Sequence, residues 1–289
     1  MKLRAIIFSL LIALVTLPTL AQRLTAHRGT VANGYNFWLM EPSDSMEAKP
    51  VFIFLHGASL CGNDLNRVKR YGTLDAVQKG RNLDAYIIAP QNPGGAWKPE
   101  KIMNILKWVE DWYNVDYDRI YVLGMSLGGY GTIDFAATYP DDVAAAMAFC
   151  GGGSVKDFSP LNNVPLWIVH GTADAAVSIS QSDKVVSAMK QADASTPRLI
   201  YDRMPGWNHG KPARLFYLAE TYDWLLSHSL KDHKRPVKDG FKLTNELLGK
   251  AYSSLRNSGK STKKAAAAEK QQASAETSGE TTPVTNSHS

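Results

Sequence analysis

Apolar residues fall along this chain in short, continuous runs separated by polar or glycine-rich breaks. Pro50–Leu55 (PVFIFL), Asp84–Pro90 (DAYIIAP), Arg119–Leu123 (RIYVL) and Pro165–Val169 (PLWIV) do not alternate in polarity. Such runs belong to strands covered on both faces. Arg198-Leu199-Ile200-Tyr201 is a further strand, and Leu24 to Pro42 supplies one or two edge strands centred on Tyr35–Met40. The segments between the runs repeat every three to four residues, as helices do. Asp64 to Gly80 carries Leu65, Val68, Leu74 and Val77; Glu100 to Tyr113 carries Ile102, Ile105, Leu106, Val109 and Trp112. Gly129–Tyr139, Ser178–Ala192 and Pro212–Ser229 read as the remaining helices. Val143–Phe149 is alanine-rich, but it lies between a helix stopped by Pro140 and Cys150-Gly151-Gly152-Gly153, so strand is the better reading. Strands and helices thus take turns, which predicts an α/β fold: a mostly parallel sheet of about eight strands with helices on both faces.

The one junction that carries chemistry on its face is Arg119–Gly131, RIYVLGMSLGGYG. A buried strand passes through Gly124-Met125-Ser126-Leu127-Gly128 directly into a helix, the G-x-S-x-G nucleophile elbow. Side chains at positions 124 and 128 would strike the neighbouring strand or helix, hence the glycines. Ser126 is presented over the sheet edge, at a helix N-terminus whose unpaired N–H groups favour negative charge.

A serine nucleophile needs a base and an acid, which in this topology follow it in the order acid, histidine. Asp174 leaves the end of the Pro165–Val169 strand in His170-Gly171-Thr172-Ala173-Asp174. His209 follows the next strand in Pro205-Gly206-Trp207-Asn208-His209-Gly210, ahead of a helix opened by Pro212. Ser126, Asp174 and His209 therefore share one sheet edge. Asp183 lies inside a helix, while His228 and His233 fall near the end of the last one.

With these motifs in hand the chain resembles the α/β-hydrolases of the carboxylesterase, phospholipase and dienelactone-hydrolase-like group, which includes small secreted feruloyl and acetyl esterases. Leu55-His56-Gly57-Ala58, Gly124–Gly129, His170–Asp174 and Gly206–His209 carry the resemblance, which spans about Lys49 to Ser229. It implies a serine esterase acting through an acyl-enzyme on a small-molecule or carbohydrate-borne ester, with no metal or organic cofactor. It also implies that the loop after Leu55 gives one oxyanion donor, best matched by the N–H of Ala58, beside that of Leu127. His56 is expected to brace this loop, since no second histidine stands at metal-ligand spacing. Trp97 and Trp207, on loops at the catalytic edge, are candidate substrate walls, with packing beneath their loops as the alternative. A prolyl-oligopeptidase-like peptidase and a non-catalytic binding protein on the same fold are the rival readings.

Composition alters the picture mainly at the ends. The net charge of +5 is uneven: residues 22–230 hold 19 basic and 21 acidic groups, and residues 231–289 hold 11 and 6. The catalytic stretch is near neutral, which argues against a nucleic-acid partner. Lys2 and Arg4 precede the apolar run Ala5–Leu17, and Thr19-Leu20-Ala21 supplies small residues before a cut. Residues 1–21 therefore read as a signal peptide, too short for a good span, with a secreted or periplasmic mature chain and no stable membrane anchor; a retained N-terminal anchor is the alternative. An exported chain can join Cys61 to Cys150, and two free thiols is the other possibility. Residues 22–230 form the catalytic domain and residues 231–256 a linker with one short docked helix around Phe241, Leu243, Leu247 and Leu248. Residues 257–289, rich in Lys, Ala, Ser, Thr, Glu and Gln, read as a disordered tail.

Overall fold

The computed structural model describes residues 22–253 and 255; the signal peptide and the tail read from the sequence lie outside them. In chain order come β1 (Leu24–His27), β2 (Asn36–Met40), β3 (Lys49–Leu55), α1 (Thr73–Gln78), β4 (Tyr86–Gln91), α2 (Pro99–Trp112) and β5 (Val115–Met125). They are followed by α3 (Leu127–Thr138), β6 (Ala145–Phe149), β7 (Leu166–Gly171), α4 (Ser180–Ala192), β8 (Leu199–Met204) and α5 (Ala219–Leu226). A last helix, α6, covers residues 245–253. The eight strands form one sheet in the order β1-β2-β4-β3-β5-β6-β7-β8. The β1–β2 and β2–β4 pairs are antiparallel, and every pair from β4 to β8 is parallel.

The continuous apolar runs divide by alternate residues between two cores, because successive strand side chains point to opposite faces. Val51, Ile53 and Leu55 of β3 and Ile120 and Val122 of β5 join the apolar faces of α2, α3 and α4. Phe52, Phe54, Tyr121 and Leu123 face the other way, onto Leu74 of α1, Trp224 and Leu225 of α5, and Leu248 and Ala251 of α6. The sheet is covered on both sides, as its lack of alternation requires.

Two helices expected as single pieces are broken. The stretch from Asp64 is a 3₁₀ segment, Leu65–Arg70, and α1 restarts only at Thr73. Gly72 causes the break: its φ is +91°, and a Cβ there would stand 2.0 Å from the Phe54 ring. The stretch from Pro212 is likewise a 3₁₀ segment, Lys211–Tyr217, that bends at Leu218 (ψ 141°) into α5. Periodicity gives the buried face of such a stretch, whereas the break comes from what the face packs against.

The parallel strands β3 to β8 all finish at one edge. Leu55, Gln91, Met125, Phe149, Gly171 and Met204 are their last residues. The loops that leave this edge carry every candidate catalytic residue.

Candidate active site

Ser126 sits between β5 and α3 with φ 59° and ψ −123°, a left-handed backbone that a non-glycine residue occupies only under constraint. Its N–H donates to the Phe149 carbonyl at 2.8 Å, tying the turn to β6. The turn also presses against β3, since a Cβ on Gly128 would lie 1.8 Å from the Leu55 carbonyl oxygen. Ser126 is thus held by main chain on both sides. Behind it the N–H of Leu127 opens α3, where no carbonyl of a preceding turn reaches it. Across the cleft, Ala58 begins a single 3₁₀ turn, closed by Leu60 N–H donating to Gly57 O. Among the described residues neither the Ala58 nor the Leu127 N–H is bonded to a protein acceptor.

His56 supports that turn from below. Its Nδ1 lies 2.8 Å from the Gly57 carbonyl, and its Nε2 accepts the Asn92 N–H at 3.0 Å. The ring is therefore neutral with its proton on Nδ1, and burial holds its pKa down at about 4. Tyr71 adds a second brace, its hydroxyl accepting the Gly57 N–H at 2.6 Å.

Asp174 lies just past β7 with its side chain closed to solvent, while the ring of His209 is 27% exposed. Oδ2 of Asp174 is 2.7 Å from His209 Nδ1, and Oδ1 accepts the N–H groups of Ala176 and Val177, each at 2.9 Å. Burial works to raise the pKa of this carboxyl. The Val177 N–H, His209 and the Ala176 N–H outweigh it, so the pKa lies below the usual value and Asp174 is a carboxylate. The Cys150 thiol approaches the same group, and burial in this setting pushes its pKa well up.

Ser126 and His209 line one cavity of about 540 Å³. Ala58, Ser59 and Leu127 line it too, and Tyr71, Met125, Tyr130, Ala176, Val177 and Ala213 supply further wall. The structure thus brings Ser126, Ala58, Leu127 and His209 to one cavity, with Asp174 bonded behind the histidine. Neither Trp97 nor Trp207 is among the residues that line this cavity, and both follow the packing alternative. Trp97 is 2% exposed, donates from Nε1 to the His56 carbonyl at 3.2 Å and packs against Tyr35. Trp207 is 3% exposed and donates to Asn245 Oδ1 of α6 at 3.1 Å. Each has its indole turned under its loop, where a polar handle finds a protein partner. Met125 and Tyr130 belong to the elbow stretch, whereas Tyr71, Ala176, Val177 and Ala213 carry no motif and are not disclosed by the sequence. Both cysteines are free, Cys61 half-buried and Cys150 buried.

Cys150, Asp174 and His209 place ligand-type atoms within 4.8 Å of one another. Two ligands on a tetrahedral zinc stand about 3.3 Å apart. The 2.7 Å between Asp174 and His209 is a hydrogen bond instead.

A sheet in this strand order with a serine elbow at its carboxyl edge is the α/β-hydrolase fold. Residues 94–210 match the sequence model of the Dienelactone hydrolase family. Acetylxylan esterase A of Emericella nidulans is 31% identical over 134 residues, covering 45% of this chain and 41% of that protein. Feruloyl esterase B of Talaromyces funiculosus is 37% identical over 147 residues, 51% of this chain and 38% of that one. The chain therefore spans about two fifths of the length of these curated relatives. Among solved structures, a thermostable esterase superposes with a TM-score of 0.58 at 23% identity, covering 72% of this chain and 63% of its own. An acylaminoacyl peptidase of Pyrococcus horikoshii gives 0.53 at 17%, covering 81% and 44%. These two likenesses carry the fold alone.

Proposed function

We propose that the chain is a serine hydrolase of carboxylic esters, secreted or periplasmic, working through an acyl-enzyme. The observation that supports this best is the shared cavity: a serine on a strained elbow and an open histidine face the same space, and the histidine is bonded to a buried carboxylate. Ser126 attacks the ester carbonyl while His209 takes its proton from Oγ. The oxyanion gathers the N–H groups of Ala58 and Leu127 at the N-terminus of α3, both without acceptors among the described residues. Asp174 fixes the tautomer of His209 with the proton on Nδ1 and stabilises its cation. The alcohol leaves with the proton from His209, and water then repeats the sequence to release the acid.

The substrate class is an ester of a small molecule or a carbohydrate. Names of the relatives, acetylxylan esterase and feruloyl esterase, agree with it, as does a largely apolar, open cavity suited to an acyl group. Among the described residues no helix is long and apolar enough to cross a membrane, and none of the mechanism draws on a lipid surface.

Amide cleavage is the rival, and it is harder. Resonance stabilises the amide ground state, and the nitrogen leaves only when protonated. Peptidases offset this by gripping several residues of the substrate chain. The test compares kcat/KM for an acyl ester and its matching anilide, then for acetylated and feruloylated sugars and Pro-containing peptides, each against Ser126→Ala. Ester turnover exceeding the anilide's by several orders of magnitude and lost in the variant is expected. Peptide turnover equal to the ester's would promote the peptidase reading, and no Ser126-dependent turnover at all would favour a binding protein.

A further inference from the structure

Asp174 is touched by a second imidazole that the mechanism above does not use. His170 is the last-but-one residue of β7, wholly buried, with Nε2 3.3 Å from Asp174 Oδ2, the same oxygen that receives His209. Three further contacts fix what its nitrogens hold. Nε2 is 2.9 Å from the Val177 carbonyl, Nδ1 is 2.8 Å from Ser182 Oγ of α4, and that hydroxyl donates to the Gly151 carbonyl at 2.8 Å.

A serine hydroxyl has one proton, and here it goes to Gly151. Ser182 Oγ can therefore only accept from His170, which needs a proton on Nδ1. On the other side of the ring, Nε2 meets a carbonyl and a carboxylate, both of which accept only, so it needs a proton as well. A neutral ring with its proton on Nδ1 would aim a lone pair at Val177 O and Asp174 Oδ2. A neutral ring with its proton on Nε2 would force Ser182 to abandon Gly151, leaving two oxygens 2.8 Å apart with no proton between them. The doubly protonated ring satisfies every contact.

We propose that His170 is an imidazolium and a positioning residue for Asp174, so that the catalytic carboxylate lies between two histidines. The arrangement has a mechanical and an electrical part. Val177 donates its N–H to Asp174 Oδ1 and offers its carbonyl to His170, so the ring closes the acid loop onto itself. Ser182 and Gly151 then tie that loop to α4 and to the end of β6. Electrically, a fixed positive charge beside Oδ2 opposes the arrival of a second proton on His209 across the shared oxygen, which keeps the base free at lower pH. The titratable groups that face His170 are Asp174 on its own loop and, past that carboxylate, His209 and Cys150. On α4, Asp183 is taken up by Tyr201 and Arg203, leaving Ser182 as that helix's contribution.

This proposal rests on the acyl-transfer reading, and its test separates the two. Nitrogen NMR of the full chain carrying ¹⁵N-histidine needs no turnover. Between pH 6 and 8 the His170 signals, identified by their loss in His170→Gln, should show both ring nitrogens protonated. In the same variant the amide still donates to Val177 but carries no charge, and the acid limb of kcat/KM should move up by about one pH unit. A bare ring nitrogen on His170 overturns the proposal. So does a variant whose rate falls equally at every pH with the limb unmoved, which is the signature of lost packing alone. If His170→Gln does not fold, the signals are assigned by through-bond correlation in the unaltered chain and decide by themselves. Failure of Ser126→Ala to abolish ester turnover would instead count against the acyl-transfer reading.

Discussion

Nδ1 of His56 lies 2.8 Å from the carbonyl oxygen of Gly57, and the turn that follows carries Ala58. The proton on Nδ1 and the lone pair on Nε2, which accepts from Asn92, are both used, so a second proton must break the Asn92 bond. The pKa of His56 is about 4 in the fold against 6.5 for an ordinary histidine. The unfolded chain thus takes up this proton first as pH falls. Its stabilising effect is complete above pH 6.5 and is lost as the pH drops towards 4, at most about 3 kcal/mol. Denaturant midpoints measured at pH 7 and at about pH 4.5 should show that loss. In His56→Gln the pH dependence should be visibly shallower.

Ser126→Ala should lower kcat by roughly 10⁴-fold or more, leaving binding and the oxyanion donors. A phosphonate probe followed by peptide mass spectrometry should mark Ser126 alone. Ser59 lines the same cavity and Ser154 is a hydroxyl bonded to Asp134, so both are internal controls. Label on either in place of Ser126 would displace the nucleophile.

His209→Ala and His228→Ala should fail in different ways. Loss of His209 should remove turnover with little change in melting temperature, since its ring is partly open and its side-chain partner among the described residues is Asp174. His228 is buried with a lowered pKa, caused first by that burial; its Nδ1 faces the Trp224 carbonyl and its Nε2 accepts the Lys238 N–H at 2.9 Å. Its removal leaves buried groups unpaired and should cost about 1–3 kcal/mol while kcat holds. A dead, fully stable His228→Ala enzyme would reverse the assignment.

The docked end of the described chain makes a fourth prediction. Leu248 and Ala251 are fully buried and Leu255 nearly so, all in the core beneath α5. Leu248→Ala should cost about 2–5 kcal/mol. A chain ended after Leu255 should melt where the full chain does, and one ended before residue 245 should melt well below it. Equal melting of the two shortened chains would show that α6 contributes nothing.

Strands with two buried faces are the easiest elements to find in the sequence, because a short, unbroken apolar run between turn residues fits little besides the middle of a parallel sheet. The elbow is as plain, since its glycines answer to main-chain approaches between β5, the start of α3 and the end of β3 that any sequence on this turn must meet. The breaks at Gly72 and Leu218 are not visible there, for they depend on what the stretch packs against. Trp97 and Trp207 show a related limit: their place on the catalytic edge follows from chain order, but the direction of each indole is decided by its partner, His56 or Asn245. His170 stands inside a motif read for its aspartate, and only the three contacts around its ring reveal that it is occupied on both nitrogens.

The close approach of Gly128 to the Leu55 carbonyl has a bearing on how such a chain can change over time. The location of Ser126 is written in main-chain contacts between α3 and β3, so no single side-chain exchange can move it; it survives whole or is lost. The side chains of Ala176, Val177 and Ala213 line the same cavity without such a main-chain approach. Under the proposed reaction, stepwise mutation of the wall would therefore change which ester is taken while Ser126 stays in place.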